Sequence, residues 1–169
     1  MLYKRVFHNN NSALYEHLST DIARLQAFQD LSRGVHRQME KNIQARLDAG
    51  NCRLTEFELK LDAFKEEIEP QVWNTVKIMN KKGYETISSG FAGEYGERQQ
   101  IDGPFSVDSK TKERLELMGV SVIPYPDPYM YGEIIIFYPD KPDLAEITAI
   151  WNRIARTLPD LTKPRRKKG

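Results

Sequence analysis

The chain has 169 residues, 40% of them apolar and 29% charged, with 25 basic and 24 acidic side chains and a net charge of +1. That size suits one soluble domain with an appended helical piece, and the near-neutral balance excludes a nucleic-acid grip spread over a whole face. A single cysteine, Cys52, excludes an intramolecular disulfide, and no stretch reaches the ~20 apolar residues of a membrane span, so a cytoplasmic protein is the expectation.

The opening "MLYKRVFH" alternates in the manner of a short strand. Asn11 or Ser12 then suits the cap of a long helix that reaches Ala49, with Gly50 and Asn51 as its stop. From Leu14 to Leu47 the apolar residues recur about every 3.7 positions, nearer the 3.6 of a straight helix than the 3.5 of a left-handed coiled coil. Gly34, mid-helix, costs roughly 1 kcal/mol relative to alanine. Leu54, Phe57, Leu61, Phe64 and Ile68 step by helical intervals, although Phe57, Leu59 and Leu61 also alternate with charges as a strand would. Pro70 opens a further helix with Val72, Val76 and Met79 inward and Gly83 at its end.

"YETIS", residues 84–88, reads as a short strand running into a glycine-rich loop that holds a short extended piece at "RQQI". Asp108 or Ser106 caps a helix through Leu115 and Met118 that Gly119 ends. "VSVI" is a strand, "PYPDPYMYG" a connector too long for a tight hairpin, and "EIIIFY" a central strand buried on both faces. The last helix carries Leu144, Ile147, Trp151, Ile154 and Leu158 on one face and stops at Pro159. The order predicts an α+β protein: a long N-terminal helix or helices, then a β-α-β-β-α two-layer sandwich with a small mixed sheet. In it the 108–118 helix is the crossover between parallel strands. The expected divisions are 1–53, 54–162 and a basic, disordered tail over 163–169.

Three surfaces invite a ligand or partner. Gly90, Gly93 and Gly96 recur every three residues beside Ser88, Ser89, Glu94, Glu97 and Arg98. The spacing is neither a dinucleotide fingerprint nor a P-loop, but it allows backbone to lie close to another molecule. A solvated loop is the plainer alternative, and Glu94 with Glu97 would serve as acid and base only if held across a substrate. Tyr125, Tyr129 and Tyr131, with Met130, sit in a proline-stiffened connector suited to protein contact or base stacking; tyrosines folded back on the sheet are the alternative. Arg33, Arg37 and Lys41 form an i, i+4 ridge on the long helix, a candidate anion site or simply a solvated face. No catalytic motif is present, and the three histidines and Cys52 lack metal-ligand spacing, so neither a metal nor a cofactor is expected.

The segment "VKIMNKKGYETISSGFAG", residues 76–93, resembles the helix, strand and Ser-Ser turn of the wybutosine-synthesis methyltransferase family and of some small phage proteins. The resemblance implies a binding turn at Ser88 and Ser89 and an RNA or nucleotide partner. Gly90 stands where those families carry cysteine, and no histidine follows. Taken together, the residues point to a binding or regulatory protein using the glycine loop and the tyrosine connector. Its partner would be another protein, or a second copy through the N-terminal helix; nucleic acid at the helix ridge and basic tail is the weaker option. The alternative is a small enzyme or nucleotide-recognising protein with the 88–98 loop lining its pocket.

Overall fold

The structure, a computed structural model, describes residues 3–50 and 68–163, with side chains from residue 16 onward in the first segment. The helix expected over 54–68, Cys52, the 53/54 division and nearly all of the basic tail lie outside the described residues. Helix α1 spans Tyr3–Asp48, α2 Pro70–Lys81, α3 Ser109–Glu116 and α4 Leu144–Thr157. The strands are β1 (Ser88–Ala92), β2 (Arg98–Gly103), β3 (Ser121–Pro124) and β4 (Glu133–Phe137).

The α+β class and the long leading helix are as the sequence predicts, while the sheet is antiparallel throughout, in the order β1-β2-β4-β3. The 108–118 helix does connect two strands of the same direction, β2 and β3. Strand β4 lies between them and pairs antiparallel with both, which removes the parallel pairing. Two further differences are local. The opening strand is absent, because α1 already runs from Tyr3; a six-residue alternation does not outweigh propagation of a helix nucleated downstream. The strand placed at "YETIS" begins only at Ser88 and pairs with β2, so the glycine-rich stretch is a hairpin whose turn is 93–97.

Helices α2, α3 and α4 form the second layer. Val72, Val76 and Met79 of α2, Leu115 of α3, and Ile147, Trp151, Ile154 and Leu158 around α4 meet Ile101, Ile135 and Phe137 of the sheet. Caps set the helix starts: the Asp108 carboxylate accepts from Thr111 N at 3.1 Å, and Asp143 from Ala145 N at 2.8 Å. Ile134 to Phe137 are all buried, as a central strand covered on both faces requires. Lys82 Nζ donates to the carbonyls of Ala155 and Leu158 at 2.7 and 2.6 Å, tying the end of α2 to the end of α4.

One face of α1 holds the helix to this body at four-residue steps. Arg24 donates to the carbonyls of Pro139 and Asp140, Phe28 enters the core, Ser32 meets the β1–β2 turn at Gly96, and His36 meets Glu69. Glu69 is buried just before α2, and its carboxylate takes Gln71 Nε2 at 2.5 Å, Phe91 N at 2.8 Å and His36 Nε2 at 2.7 Å. Gly90 makes room for it. A Cβ there would lie 2.2 Å from the carboxylate, and the backbone has φ +116°.

A methyl at Gly90 must therefore displace a carboxylate held by three donors. Gly90→Ala is expected to cost about 2–3 kcal/mol, read as a shift of the urea midpoint. In a Glu69→Ala background the same substitution should cost less, because only the backbone strain remains. Equal costs in the two backgrounds would show that the carboxylate is not what Gly90 accommodates.

Candidate contact site

Side chains alternate across β2, so Gln99 and Ile101 face the helices while Arg98, Gln100 and Asp102 face away. On that outer face Asp102 gathers a network. Its carboxylate accepts from Ser88 N at 3.2 Å, Ser88 Oγ at 2.5 Å, Tyr125 OH at 2.8 Å and Gln100 Nε2 at 3.4 Å. Gln100 Oε1 in turn accepts from Arg98 Nη2 at 3.1 Å. The structure thus brings together Ser88, Arg98 and Tyr125 from the predicted set. Asp102, which sequence reading passed over, is the group that joins them. Its signal was available as Arg98, Gln100 and Asp102 at period two, one polar face of a strand.

The rest of the glycine stretch turns inward or onto itself. Gly90 and Gly96 are buried, the first against Glu69 and the second with its Cβ position 2.9 Å from Ser32 Cβ of α1. A Cβ on Gly93 would lie 2.3 Å from a Glu97 carboxylate oxygen, and Glu97 also accepts from Tyr95 N at 2.8 Å within the same turn. Ser89 is half-buried opposite Ile101, and Glu94 is exposed. A cavity of about 730 Å³ lies beside α1, lined by Leu31, Val35, Met39, Ile68, Pro70 and Leu144 among others. None of residues 88–98 lines it. Arg33, Arg37 and Lys41 are exposed along α1.

Tyr125 follows β3, and its ring reaches past β4 to Asp102 on β2, pinning the base of the β3–β4 connector. Tyr125 N closes that base onto the Gly132 carbonyl at 3.3 Å, and a Cβ on Gly132 would lie 2.1 Å from the Gly103 carbonyl oxygen, so the return strand is seated tightly. Within the connector Asp127 Oδ1 accepts from Tyr129 N at 2.9 Å and its carbonyl from Met130 N at 3.1 Å, and Pro124, Pro126 and Pro128 fix three φ angles. On this ordered frame Tyr129 is 96% exposed, Tyr131 79% and Met130 47%. The predicted tyrosines therefore divide in role: one anchors the loop and two stand in water.

Burial, then the hydrogen bond to Asp102 and its negative charge, push the Tyr125 phenol up to about 12. A phenol so displaced from neutrality is a poor proton shuttle near pH 7, and the Asp102 oxygens are already engaged by Ser88 and Tyr125. The network is thus an anchor. Among the described residues no group of three His, Cys, Asp or Glu side chains is placed to hold a metal ion, and no helix is long and apolar enough to cross a membrane. No family model, curated protein or solved structure matches the chain.

Tyr125→Phe removes a donor to a buried carboxylate, and a loss of about 1.5–3 kcal/mol is expected at neutral pH. Because the folded state holds the phenolic proton more tightly than the unfolded chain, this contribution is complete below the ordinary tyrosine pKa of about 10. It is lost as the pH rises through that value toward about 12. Denaturant midpoints of the two proteins should therefore converge above about pH 10. A gap unchanged through that range would rule out the Tyr125–Asp102 bond as its source.

Proposed function

We propose that the protein is a non-catalytic binding module that engages a protein partner through the tip of the β3–β4 connector, with Tyr129, Met130 and Tyr131 as the contact residues. The observation that carries this reading is the near-complete exposure of Tyr129 and Tyr131 on a loop whose base is fixed by Tyr125, Asp102 and Gly132. Large apolar side chains held in water on an ordered frame lose little conformational freedom on contact. Tyrosine and methionine are among the residue types enriched at protein interfaces, and tyrosine is frequent among their hot spots. The tip also bears on the partner's chemistry. Residues 125–132 contain Asp127 and no lysine or arginine, so the loop offers nothing to a phosphate backbone, and a protein surface suits it better than a nucleic acid.

The glycine hairpin enters this reading as support. Gly90 lies against Glu69 at the start of α2 and Gly96 against Ser32 of α1, which fixes the hairpin to the helices, while Gly93 lies against Glu97 within the hairpin's own turn.

The test is affinity capture from cell extract with the intact chain and with Tyr129→Ser/Tyr131→Ser protein. Both side chains are exposed, so the variant should keep its midpoint within about 0.5 kcal/mol. A partner retained by the wild type should be depleted at least tenfold with the variant. Identical retention profiles for the two proteins would remove the tip from the contact surface.

A further inference from the structure

We propose that the core binds one water molecule between α2 and β2, held by Gln71, Thr75 and Gln99. Among the described residues, Gln71 Oε1, Thr75 Oγ1 and Gln99 Nε2 are buried polar atoms without a hydrogen-bond partner. Their side chains are shut off from solvent, at 3%, 1% and 0% exposure. An unmet polar group at that depth is costly, and native cores leave few of them. The three are also neighbours. Gln71 and Thr75 stand four residues apart on the buried face of α2, so one side chain lies above the other. Gln99 projects toward that face from β2, close enough for its Oε1 to lie 3.4 Å from Gln71 Nε2.

Each of the two amides is engaged at one end and open at the other. Gln71 Nε2 gives its hydrogens to Glu69 Oε2 and Gln99 Oε1, while Gln99 Oε1 accepts from Gln71 and from Trp151 Nε1 at 3.1 Å. Exchanging oxygen and nitrogen does not relieve this. Turned over, the Gln71 amide would set its oxygen against the Glu69 carboxylate, and the Gln99 amide would set its N–H groups against the Trp151 N–H. What remains is a fixed acceptor at Gln71, a fixed donor at Gln99 and a hydroxyl at Thr75 that rotates into either role. The occupant must therefore accept one hydrogen bond and donate another. Water does both and keeps a third bond for Thr75, the usual complement of a buried water. A metal ion would face the Gln99 N–H, an ammonium ion has no lone pair to offer it, and an apolar group would leave all three atoms unmet. The water thereby joins α2 to β2 a second time, beside the direct contact of Gln71 with Gln99.

The test begins with a crystal structure of the full chain at a resolution that orders solvent. One water oxygen should lie within about 3.2 Å of Gln71 Oε1, Thr75 Oγ1 and Gln99 Nε2. In solution, oxygen-17 relaxation dispersion counts waters that stay longer than the protein takes to tumble, and it is blind to exchange of the hydroxyl proton. Thr75→Ser keeps the hydroxyl and should leave the dispersion amplitude unchanged. Thr75→Ile carries a methyl group from the hydroxyl's position into that of the water, and should lower the amplitude by the equivalent of one water. A crystal structure in which the three atoms pair directly within the chain, with no water oxygen among them, overturns the proposal even where Thr75→Ile fails to fold. So does an equal amplitude for the wild type and a folded Thr75→Ile protein.

Discussion

The fold hangs on one buried anion. The Glu69 carboxylate lies where α1, α2 and the β1–β2 hairpin converge, and a carboxylate removed from water is tolerated only when its oxygens are met by donors. Each element supplies one: His36 from α1, Gln71 from α2, and the Phe91 backbone N–H from β1. The proton on His36 must sit on Nε2 for that contact, whether the ring is neutral or charged. Moving any one element away strands the charge, so the carboxylate makes the placement of all three cooperative. It also explains why the first turn of α2 has no side-chain cap: the side chain available for that purpose is directed at the sheet instead.

From Glu69 the polar interaction continues into the core. Gln71 Nε2 also reaches Gln99 Oε1 at 3.4 Å, and Trp151 Nε1 donates to that same oxygen at 3.1 Å. A wholly buried tryptophan needs an acceptor for its indole N–H, and Gln99 provides it from the inner face of β2. The outer face of the same strand carries Asp102 and its four donor groups. Strand β2 is thus fastened by polar contacts on both faces, at Gln99 toward the helices and at Asp102 toward the connector. Networks of this kind specify one register, since a slip of one residue would exchange the two faces and leave both sets of polar groups unmatched.

What the sequence made legible follows from how local each determinant is. Helices α2, α3 and α4 were readable because their signals lie within the segment: proline at the start of α2, Asp108 before α3, and Leu144 to Leu158 at helical spacing. The burial of β4 was readable from four consecutive apolar residues. The β1–β2 hairpin was not, because Gly90 lowers the strand signal of "SSGFA" and the reason for that glycine is Glu69, twenty-one positions earlier. The antiparallel order was hidden for a similar reason. Which strand inserts between β2 and β3 is decided by pairing partners distant in sequence, and no residue of the α3 segment records it. At the candidate site, the three tyrosines looked equivalent in sequence. Asp102 distinguishes them, and it declares itself only when β1, β2 and the connector are brought side by side.

The same reasoning separates surface that the fold has consumed from surface that it leaves open. Glycines and tyrosines both suggest contact, but a contact residue satisfied within its own chain has little left to offer another. Gly90, Gly96 and Tyr125 are of that kind. Tyr129 and Tyr131 are not: both stand in water on a loop whose base is tied down by Tyr125, Asp102 and Gly132. The residue that spends itself on the base is what leaves the two at the tip presented on a fixed frame, so the consumed tyrosine and the open ones are parts of one arrangement, and the conformational cost of ordering the tip is met by the fold before any contact is made.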